Sequence, residues 1–158
     1  MIHLRTFNLE KISESKHYSL IRNAAEDENV RKYISKDFLR WINFYAADND
    51  DNIEVKKSYV IERDNNYIGF IGSLDFSSDG VLELWCVIDK EFRDKGNADK
   101  ILGEITPYYI EHIDGLNDIC LKINKYNIAS QKVALKNGYT KVGESDGIYK
   151  YTYFGKKK

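Results

Sequence analysis

The sequence has few residues of the kinds that bind metals or cross-link chains. Among 158 residues there are two cysteines and three histidines, and no cysteine pair is separated by two residues. Cys86 and Cys120 both lie in apolar, strand-like runs, which favours buried free thiols in a reducing cytoplasm over a disulfide. The histidines are scattered, at His3, His17 and His112, without ligand spacing. We therefore expect no metal site.

Other absences exclude further classes of protein. One proline and ten glycines are too few for a disordered or low-complexity chain. No run of about 18 apolar residues is present, so we expect no membrane span, and residues 1–9 lack the pattern of a secretory signal. The formal net charge is −1, and the basic cluster Lys156–Lys158 forms only a short tail. We therefore expect neither nucleic acid nor an anionic membrane as a partner.

What is present is the composition of an ordinary globular protein, with 42% hydrophobic and 31% charged residues. The length predicts one domain, residues 1–158. Apolar periodicity predicts a strand, a helical region, three strands, a helix, a strand, a helix and two final strands. The run "VLELWCVID" is nearly all apolar, as in a central strand covered on both faces. Pro107 lies in the helix that follows and should kink or shorten it.

Part of this order is a βαβ unit, formed by the strand Val81–Asp89, its helix and the strand Asp118–Asn124. Such a unit makes two parallel strands joined by a right-handed crossover. The sequence therefore predicts a mixed α/β sheet with helices packed against it. Ligands of such sheets bind at the carboxyl ends of the parallel strands.

A polar link joins the first strand of this unit to its helix. It consists of Arg93, Asp94, Lys95, Gly96, Asn97 and Ala98. The unpaired N–H groups and the dipole of a helix N-terminus favour an anion, and glycine lets the backbone approach a phosphate closely. The alternative is a basic turn at a helix start. The link matches neither the phosphate loop of nucleoside triphosphatases nor the dinucleotide-binding glycine pattern.

A second polar helix start follows the other strand of the unit. In "INKYNIASQKVALKNGY", Asn124 ends the strand, while Asn127 can cap the next helix and Ser130 lies one turn inside it. Gly138 suits the left-handed position after the helix. The alternative is simple capping with a polar helix face. Together, the two helix starts predict a slot for an elongated ligand where the strands end.

These two stretches resemble the GCN5-related N-acetyltransferases. Arg93, Gly96 and Ala98 fit the family loop [Q/R]-x-x-G-x-[G/A], and "NIASQKVALKNGY" is similar to a later family motif. Glu83 and the Ser130 spacing resemble the branch that includes ribosomal-protein N-terminal acetyltransferases. The resemblance implies a mostly antiparallel, twisted sheet of about six or seven strands. It also implies a central parallel βαβ unit with helices on both faces.

The resemblance further implies acetyl-CoA as donor and an amine as acceptor, with no metal. The loop amides of residues 93–98 would hold the CoA pyrophosphate. Main-chain groups of Cys86, Val87 and Ile88 would pair with the pantetheine arm like an added strand. Asn127 would hydrogen-bond the pantetheine, and Ser130 would lie near its phosphate or thioester end.

Acetyl transfer needs a base for the amine and an acid for the leaving thiolate. Glu83, on the central strand, is the best base candidate, ahead of Glu62 and Asp75; the alternative is a structural charge. Many family members carry a tyrosine seven residues after the helix asparagine, where this chain has Ala134. Ser130, Tyr139 or water would then act as the acid.

Asp94 is a further departure from the family pattern, and the acceptor, the aromatic residues, turnover and the oligomeric state each keep two alternatives. Asp94 stands where the family commonly has glycine and could weaken CoA binding. The acceptor is a small-molecule amine or a peptide N-terminus; the acidic stretch Asp48–Asp51 slightly favours a cationic one. Aromatic residues at positions 41, 44 and 45 line an acceptor cleft or, more commonly, a core. The alternative to an enzyme is a non-catalytic acyl-CoA-binding module, and the protein is a monomer or a homodimer.

Overall fold

Strands and helices follow one another in the expected order through the described residues, 2–5, 18–41 and 59–155, of the computed structural model. The strands are β1 (Ile2–Arg5), β2 (Tyr59–Arg63), β3 (Asn66–Phe76), β4 (Val81–Ile88), β5 (Asp118–Asn124), β6 (Thr140–Ser145) and β7 (Ile148–Phe154). The helices are α1 (Tyr18–Glu26), α2 (Glu28–Tyr33), α3 (Asn97–His112) and α4 (Ile128–Lys136), with a 3₁₀ turn at Lys90–Phe92. Residues 1, 6–17, 42–58 and 156–158 lie outside the described residues, and with them the end of the predicted first strand and the acidic stretch Asp48–Asp51.

The strands form one mixed sheet in the order β1-β2-β3-β4-β5-β7-β6. Strands β4 and β5 pair in parallel, and the five other neighbouring pairs are antiparallel. Helix α3 provides the crossover between the parallel strands. The expected sheet, mostly antiparallel with a central parallel βαβ unit, is therefore confirmed.

Two hydrophobic cores cover the two faces of the sheet. Helices α3 and α4 pack on one face, where the buried residues include Leu82, Leu84, Ile101, Ile105, Ile119 and Ala134. Helices α1 and α2 pack on the other, with Leu20, Ile21, Val30, Val60, Phe70, Trp85 and Val87. Alternate side chains of β4 enter different cores because successive side chains of a strand point to opposite faces. This explains why β4 is almost entirely apolar.

The helical region before β2 is broken at Asp27. The side chain of Asp27 caps α2 by accepting a hydrogen bond from Asn29 N at 2.9 Å. An aspartate that bonds nearby main-chain N–H groups favours a helix start over a helix interior. The predicted helical region is therefore divided at Asp27 into α1 and α2.

Pro107 was expected to kink or shorten its helix, and α3 is not shortened. The helix runs for 16 residues with Pro107 inside it. Ile105, Thr106 and Tyr109 are buried on either side of the proline. Packing of this face offsets the missing N–H, since burial of an apolar face contributes more to helices in proteins than propensity does.

Candidate active site

A gap opens in the middle of the sheet between β4 and β5. The two strands pair only from Val81 to Leu84 on β4 and from Asp118 to Leu121 on β5. Beyond these residues β4 stays paired with β3 as far as Ile88. Strand β5 stays paired with β7 as far as Asn124. In the part of the chain that the structure describes, the edges of both strands that face the gap therefore have no sheet partners there.

Main-chain groups of Cys86 and Ile88 face this gap. Asp89 N donates to Ile68 O on β3 at 2.8 Å, so the main-chain N–H and C=O of Asp89 are directed towards β3. Because these groups alternate along a strand, those of Val87 also face β3, and those of Cys86 and Ile88 face the opposite side. A Cβ on Gly69 of β3 would lie 2.1 Å from Val87 O, consistent with this direction.

The main chain of Val87 was predicted to pair with the pantetheine, but it faces β3 and therefore cannot do so. The N–H of Val87 is likewise unavailable as a donor to the oxyanion of a tetrahedral intermediate. The strand period of two assigns both tasks to its neighbours, Cys86 and Ile88, whose main-chain groups face the gap.

The link after β4 exposes a row of main-chain N–H groups. Asp94 and Gly96 have positive φ angles, 60° and 79°, and Gly96 is the N-cap of α3. The first main-chain bond across this start runs from Lys100 N to Gly96 O at 3.1 Å. Within the described ranges, no acceptor meets the N–H groups of residues 94–99. A Cβ on Gly96 would meet nothing within 4 Å, so open space lies beside the loop.

Two side chains of the link point into the protein and fix its shape. Asn97 is buried, donates to Phe92 O at 2.8 Å and accepts a hydrogen bond from Arg63 at the end of β2. Arg93 donates from Nε to Ile88 O at 3.1 Å and forms an ion pair with Asp27, at 2.5 Å between Nη2 and Oδ2. The link therefore offers its main chain, rather than the guanidinium of Arg93, to a ligand.

The other side chains of the link lie near the surface. Asp94 and Lys95 are exposed, and Ala98 is half-buried. Lys95 Nζ lies 5.8 Å from the centroid of the Phe92 ring. Lys95 is thus the cation of the link that is left to meet a phosphate.

The start of α4 presents two half-buried polar side chains. Asn127 is the N-cap, and its Oδ1 accepts a hydrogen bond from Ser130 N at 3.3 Å. Gln131 holds the loop before it by donating to Asn124 O and Lys125 O, at 3.4 and 2.9 Å. The predicted cap is confirmed, and the Asn127 amide N–H₂ has no acceptor among the described side chains and carbonyls.

Glu83 lies at the point where β4 and β5 separate, on the sheet face opposite α3. Its Oε1 is 3.3 Å from Nζ of Lys122, the first β5 residue beyond the paired stretch. Asp75 of β3 is the cross-strand partner of Glu83 and shares its face. Two carboxylates and one ammonium therefore stand together at the base of the gap. Glu62, on β2, is two strands away from Glu83 in the sheet order.

Trp85 follows Glu83 on the same face of β4. Its indole is 5% exposed, and Nε1 has no acceptor among the described residues. Its ring meets the ring of Trp41 edge to face, with centroids 4.8 Å apart. Trp41 thus packs in the α1–α2 core, as the more common of its two expected roles requires; residues 44 and 45 lie outside the described residues.

The structure does not bring Tyr139 to the gap. Tyr139 is buried in the α3–α4 core, where its hydroxyl lies 2.7 Å from Thr106 Oγ1. Burial raises the pKa of its phenol, so the group stays neutral. Ala134, at the position of the family tyrosine, is fully buried. Of the two acid side chains expected from the sequence, Ser130 lies in the first turn of α4, the helix that follows β5.

The two cysteines are protonated thiols at neutral pH and are therefore poor nucleophiles. Burial raises the pKa of Cys86 from 9.0 to about 12. Burial also raises the pKa of Cys120, with a smaller contribution from the negative charge of Glu83. Both cysteines are free in the structure. Cys86 therefore contributes its main chain to the gap.

Three residues around the gap were not singled out by the sequence. Asp27 meets Arg93 across 66 positions of chain, and Lys122 meets Glu83 across strands. Trp85 lies within the apolar run of β4, where the sequence does not distinguish it from an ordinary core residue. A capping pattern at residues 27–29 was the available signal for Asp27, but a cap says nothing about a distant partner.

Neither a metal cluster nor a membrane helix is found in the described ranges. No three His, Cys, Asp or Glu side chains there are grouped as metal ligands would be. No helix there is long and apolar enough to cross a membrane.

Comparison with known families gives one match that covers most of the chain. The sequence model described as "Acetyltransferase (GNAT) domain" matches residues 5–140. Comparison with curated protein sequences gave no match.

Solved acetyltransferase structures have a similar fold. RimL, a ribosomal L7/L12 alpha-N-protein acetyltransferase in complex with coenzyme A, has a TM-score of 0.74 and 15% identity, covering 98% of this chain and 94% of that one. Spermidine N-acetyltransferase from Vibrio cholerae, in complex with CoA and spermine, has a TM-score of 0.73 and 18% identity. The match covers 98% of this chain and 95% of that one. The N-acetyltransferase PseH from Campylobacter jejuni, in complex with acetyl coenzyme A, has a TM-score of 0.67 and 18% identity. The match covers 98% of this chain and 99% of that one. At these identities the likeness concerns the fold.

Proposed function

This chain belongs to the acetyltransferase (GNAT) domain family, and we propose that it transfers the acetyl group of acetyl-CoA to a primary amine in a ternary complex. One observation carries the proposal. Among the described residues, the gap between β4 and β5 has a main-chain edge without sheet partners and leads to a helix start whose N–H groups meet no acceptor. An extended amide chain that ends in a pyrophosphate complements both features.

The residues of the gap fit acetyl-CoA as co-substrate. The N–H groups of residues 94–99 would hold the pyrophosphate, with Lys95 adding a positive charge. Both main-chain groups of Cys86 and the N–H of Ile88 would pair with the pantetheine amides as an added strand does, while the Ile88 carbonyl already accepts from Arg93 Nε. The free amide N–H₂ of Asn127 would donate to the pantetheine from the other side of the gap.

The reaction itself forms one bond and breaks one. The neutral amine nitrogen attacks the thioester carbonyl carbon, the C–S bond breaks, and the amine proton passes to a base. Glu83 is that base, directly or through water, because its carboxylate stands where the strands separate. The N–H of Cys86 or Ile88 stabilises the oxyanion of the tetrahedral intermediate.

Protonation of the leaving thiolate falls to Ser130 or to water. Ser130 lies in the first turn of α4, where the helix dipole also favours a negative charge. The family tyrosine position is a buried alanine here, which favours a non-catalytic acyl-CoA-binding module as the second candidate. Turnover decides between the two.

The charges beside the gap favour an acceptor that is cationic in water. Glu83 and Asp75 oppose each other across β3 and β4, and Lys122 compensates one of the two carboxylates. A protonated amine drawn to this face would compensate the second. Small polyamines and peptide N-termini both satisfy this requirement. They are also the acceptors named for the spermidine and ribosomal-protein acetyltransferases of similar fold.

The setting proposed for this reaction follows the sequence expectations. We place the protein in a bacterial cytoplasm, as a monomer or homodimer in which residues 1–158 form one domain. Its partners are acetyl-CoA and an amine, without nucleic acid, membrane or metal.

A thiol-release assay with acetyl-CoA over a panel of polyamines, amino acids, aminoglycosides and peptides tests the proposal. We expect release with at least one amine, and a rise in melting temperature with acetyl-CoA alone. Stabilisation without release from any amine would favour the binding module. Neither stabilisation nor release would contradict both candidates.

Replacement of Glu83 by glutamine tests the base. Glu83→Gln should lower kcat by about 10²-fold or more, with CoA affinity changed less than threefold. Glu144→Gln is the matched control, because Glu144 also pairs with a lysine, Lys141, but on β6. Equal kcat values for Glu83→Gln and the wild type would remove Glu83 as the base.

A further inference from the structure

Arg93 connects three separate parts of the molecule. Its Nε donates to the carbonyl of Ile88, the last residue of β4, at 3.1 Å. Its Nη1 and Nη2 meet Oδ1 and Oδ2 of Asp27 at 3.1 and 2.5 Å. The guanidinium thus joins the end of β4 and the phosphate-loop backbone to the junction of α1 and α2.

Asp27 is built into this arrangement from its own side. Its side chain is 5% exposed and also caps α2 through Asn29 N. A buried carboxylate needs a partner, because leaving its charge unpaired is costly. A forked pair with two parallel N–H···O bonds also fixes orientation, which a single contact does not. The position of Arg93 is therefore set by α2, on the sheet face opposite α3.

We infer that Arg93 is a positioning residue that Asp27 holds in place, and that it does not bind the pyrophosphate through its guanidinium. It keeps the end of β4 at Ile88 and the main-chain N–H groups of the link, residues 93–98, in the geometry that acetyl-CoA requires. The inference rests on the proposed function, since it concerns the same co-substrate site. It adds that the α1–α2 junction controls CoA affinity without touching CoA.

The alternative role for Arg93 makes the opposite prediction for Asp27. If the guanidinium bound the pyrophosphate, Asp27 would compete with the ligand for it. Neutralising Asp27 would then release Arg93 and strengthen CoA binding. If Asp27 holds Arg93 in a positioning role, the same change weakens CoA binding. The direction of one measured change in Kd therefore separates the two roles.

Asp27→Asn is the suitable variant because asparagine caps helices as well as aspartate does. It keeps the α2 cap and removes the charge. Arg93→Lys keeps the charge and removes the fork. Asp37→Asn is the matched control, because Asp37 also accepts a main-chain hydrogen bond, from Arg40 N, but is exposed.

The test measures CoA binding by calorimetry and acetyl-CoA kinetics for the full chain at a temperature well below unfolding. Asp27→Asn and Arg93→Lys should each weaken CoA binding about tenfold and raise KM for acetyl-CoA in parallel, with kcat within about threefold. The double variant should be no weaker than the more severe single variant, because the pair acts as a unit. Asp37→Asn should match the wild type.

Three results would overturn the inference. Tighter or unchanged CoA binding in Asp27→Asn would show that Asp27 does not hold Arg93 for binding. Additive losses in the double variant would show that the two residues act separately. Absence of CoA binding by the wild type would reject the proposed function itself and this inference with it.

Discussion

At the scale of single residues, Asp94 is the least expected part of the phosphate loop. It has a φ of 60°, a region where aspartate is tolerated better than most residues but glycine is favoured. Its carboxylate is exposed beside the N–H groups assigned to the pyrophosphate. The loop therefore carries a negative charge next to a site for a negative group, and this charge should limit CoA affinity.

Asp94→Asn should strengthen CoA binding about two- to fivefold at low ionic strength, because it removes like-charge repulsion while keeping a residue that tolerates positive φ. Calorimetric titration at low and high salt measures the effect, which should shrink with added salt. Asp146→Asn is the matched control, since Asp146 has a φ of 53° in the exposed β6–β7 turn. Weaker binding in Asp94→Asn would mean that the carboxylate helps the loop.

Residue roles were predictable where they depend on local backbone and not where they depend on distant partners. The glycine and small residue of the loop follow from its geometry, and the Asn127 cap follows from its place before α4. The engagement of Arg93 by Asp27, and of Tyr139 by Thr106, depends on contacts 66 and 33 positions apart. No periodicity or motif encodes those contacts.

At the scale of elements, strand and helix patterns predicted the order well because each buries one or two well-defined faces. Strand β4 was an exception in its details. Because it is covered on both faces, its apolar run gave no sign of which residues face which helix layer. The assignment of the gap-facing main chain to Cys86 and Ile88 required the register between β3 and β4.

Pro107 in helix α3 should lower the free energy of unfolding by a measurable amount. Pro107 is exposed inside the helix and cannot donate to the carbonyl of Gly103. Pro107→Ala should raise the free energy of unfolding by about 1–2 kcal/mol, and Tm by about 3–6 °C. Thermal unfolding measures this change. Pro107→Gly should gain less, because glycine also weakens helices, and a Pro107→Ala variant less stable than the wild type would contradict the account.

At the scale of the whole molecule, the sheet order brings the two helix starts to one edge. Both α3 and α4 begin after strands β4 and β5, whose parallel pairing directs their carboxyl ends the same way. The antiparallel strands on either side continue past the point where β4 and β5 separate. The gap is therefore a property of the sheet as a whole, and the βαβ unit was the part of it visible in the sequence.

The central claim is that the loop before α3 binds the CoA pyrophosphate through its main chain. Gly96 and Gly115 provide a matched pair at the two ends of that helix, with φ angles of 79° and 78° and open space at both Cβ positions. An alanine at either position costs about 1 kcal/mol of conformational strain. Only the methyl group at residue 96 would enter the space assigned to the pyrophosphate.

Calorimetric titration of CoA into the wild type, Gly96→Ala and Gly115→Ala tests this claim most directly. The account predicts that both variants lose similar stability, that Gly115→Ala binds CoA like the wild type, and that Gly96→Ala binds at least about tenfold more weakly. Equal CoA affinities for the two variants, or no binding by the wild type, would contradict it.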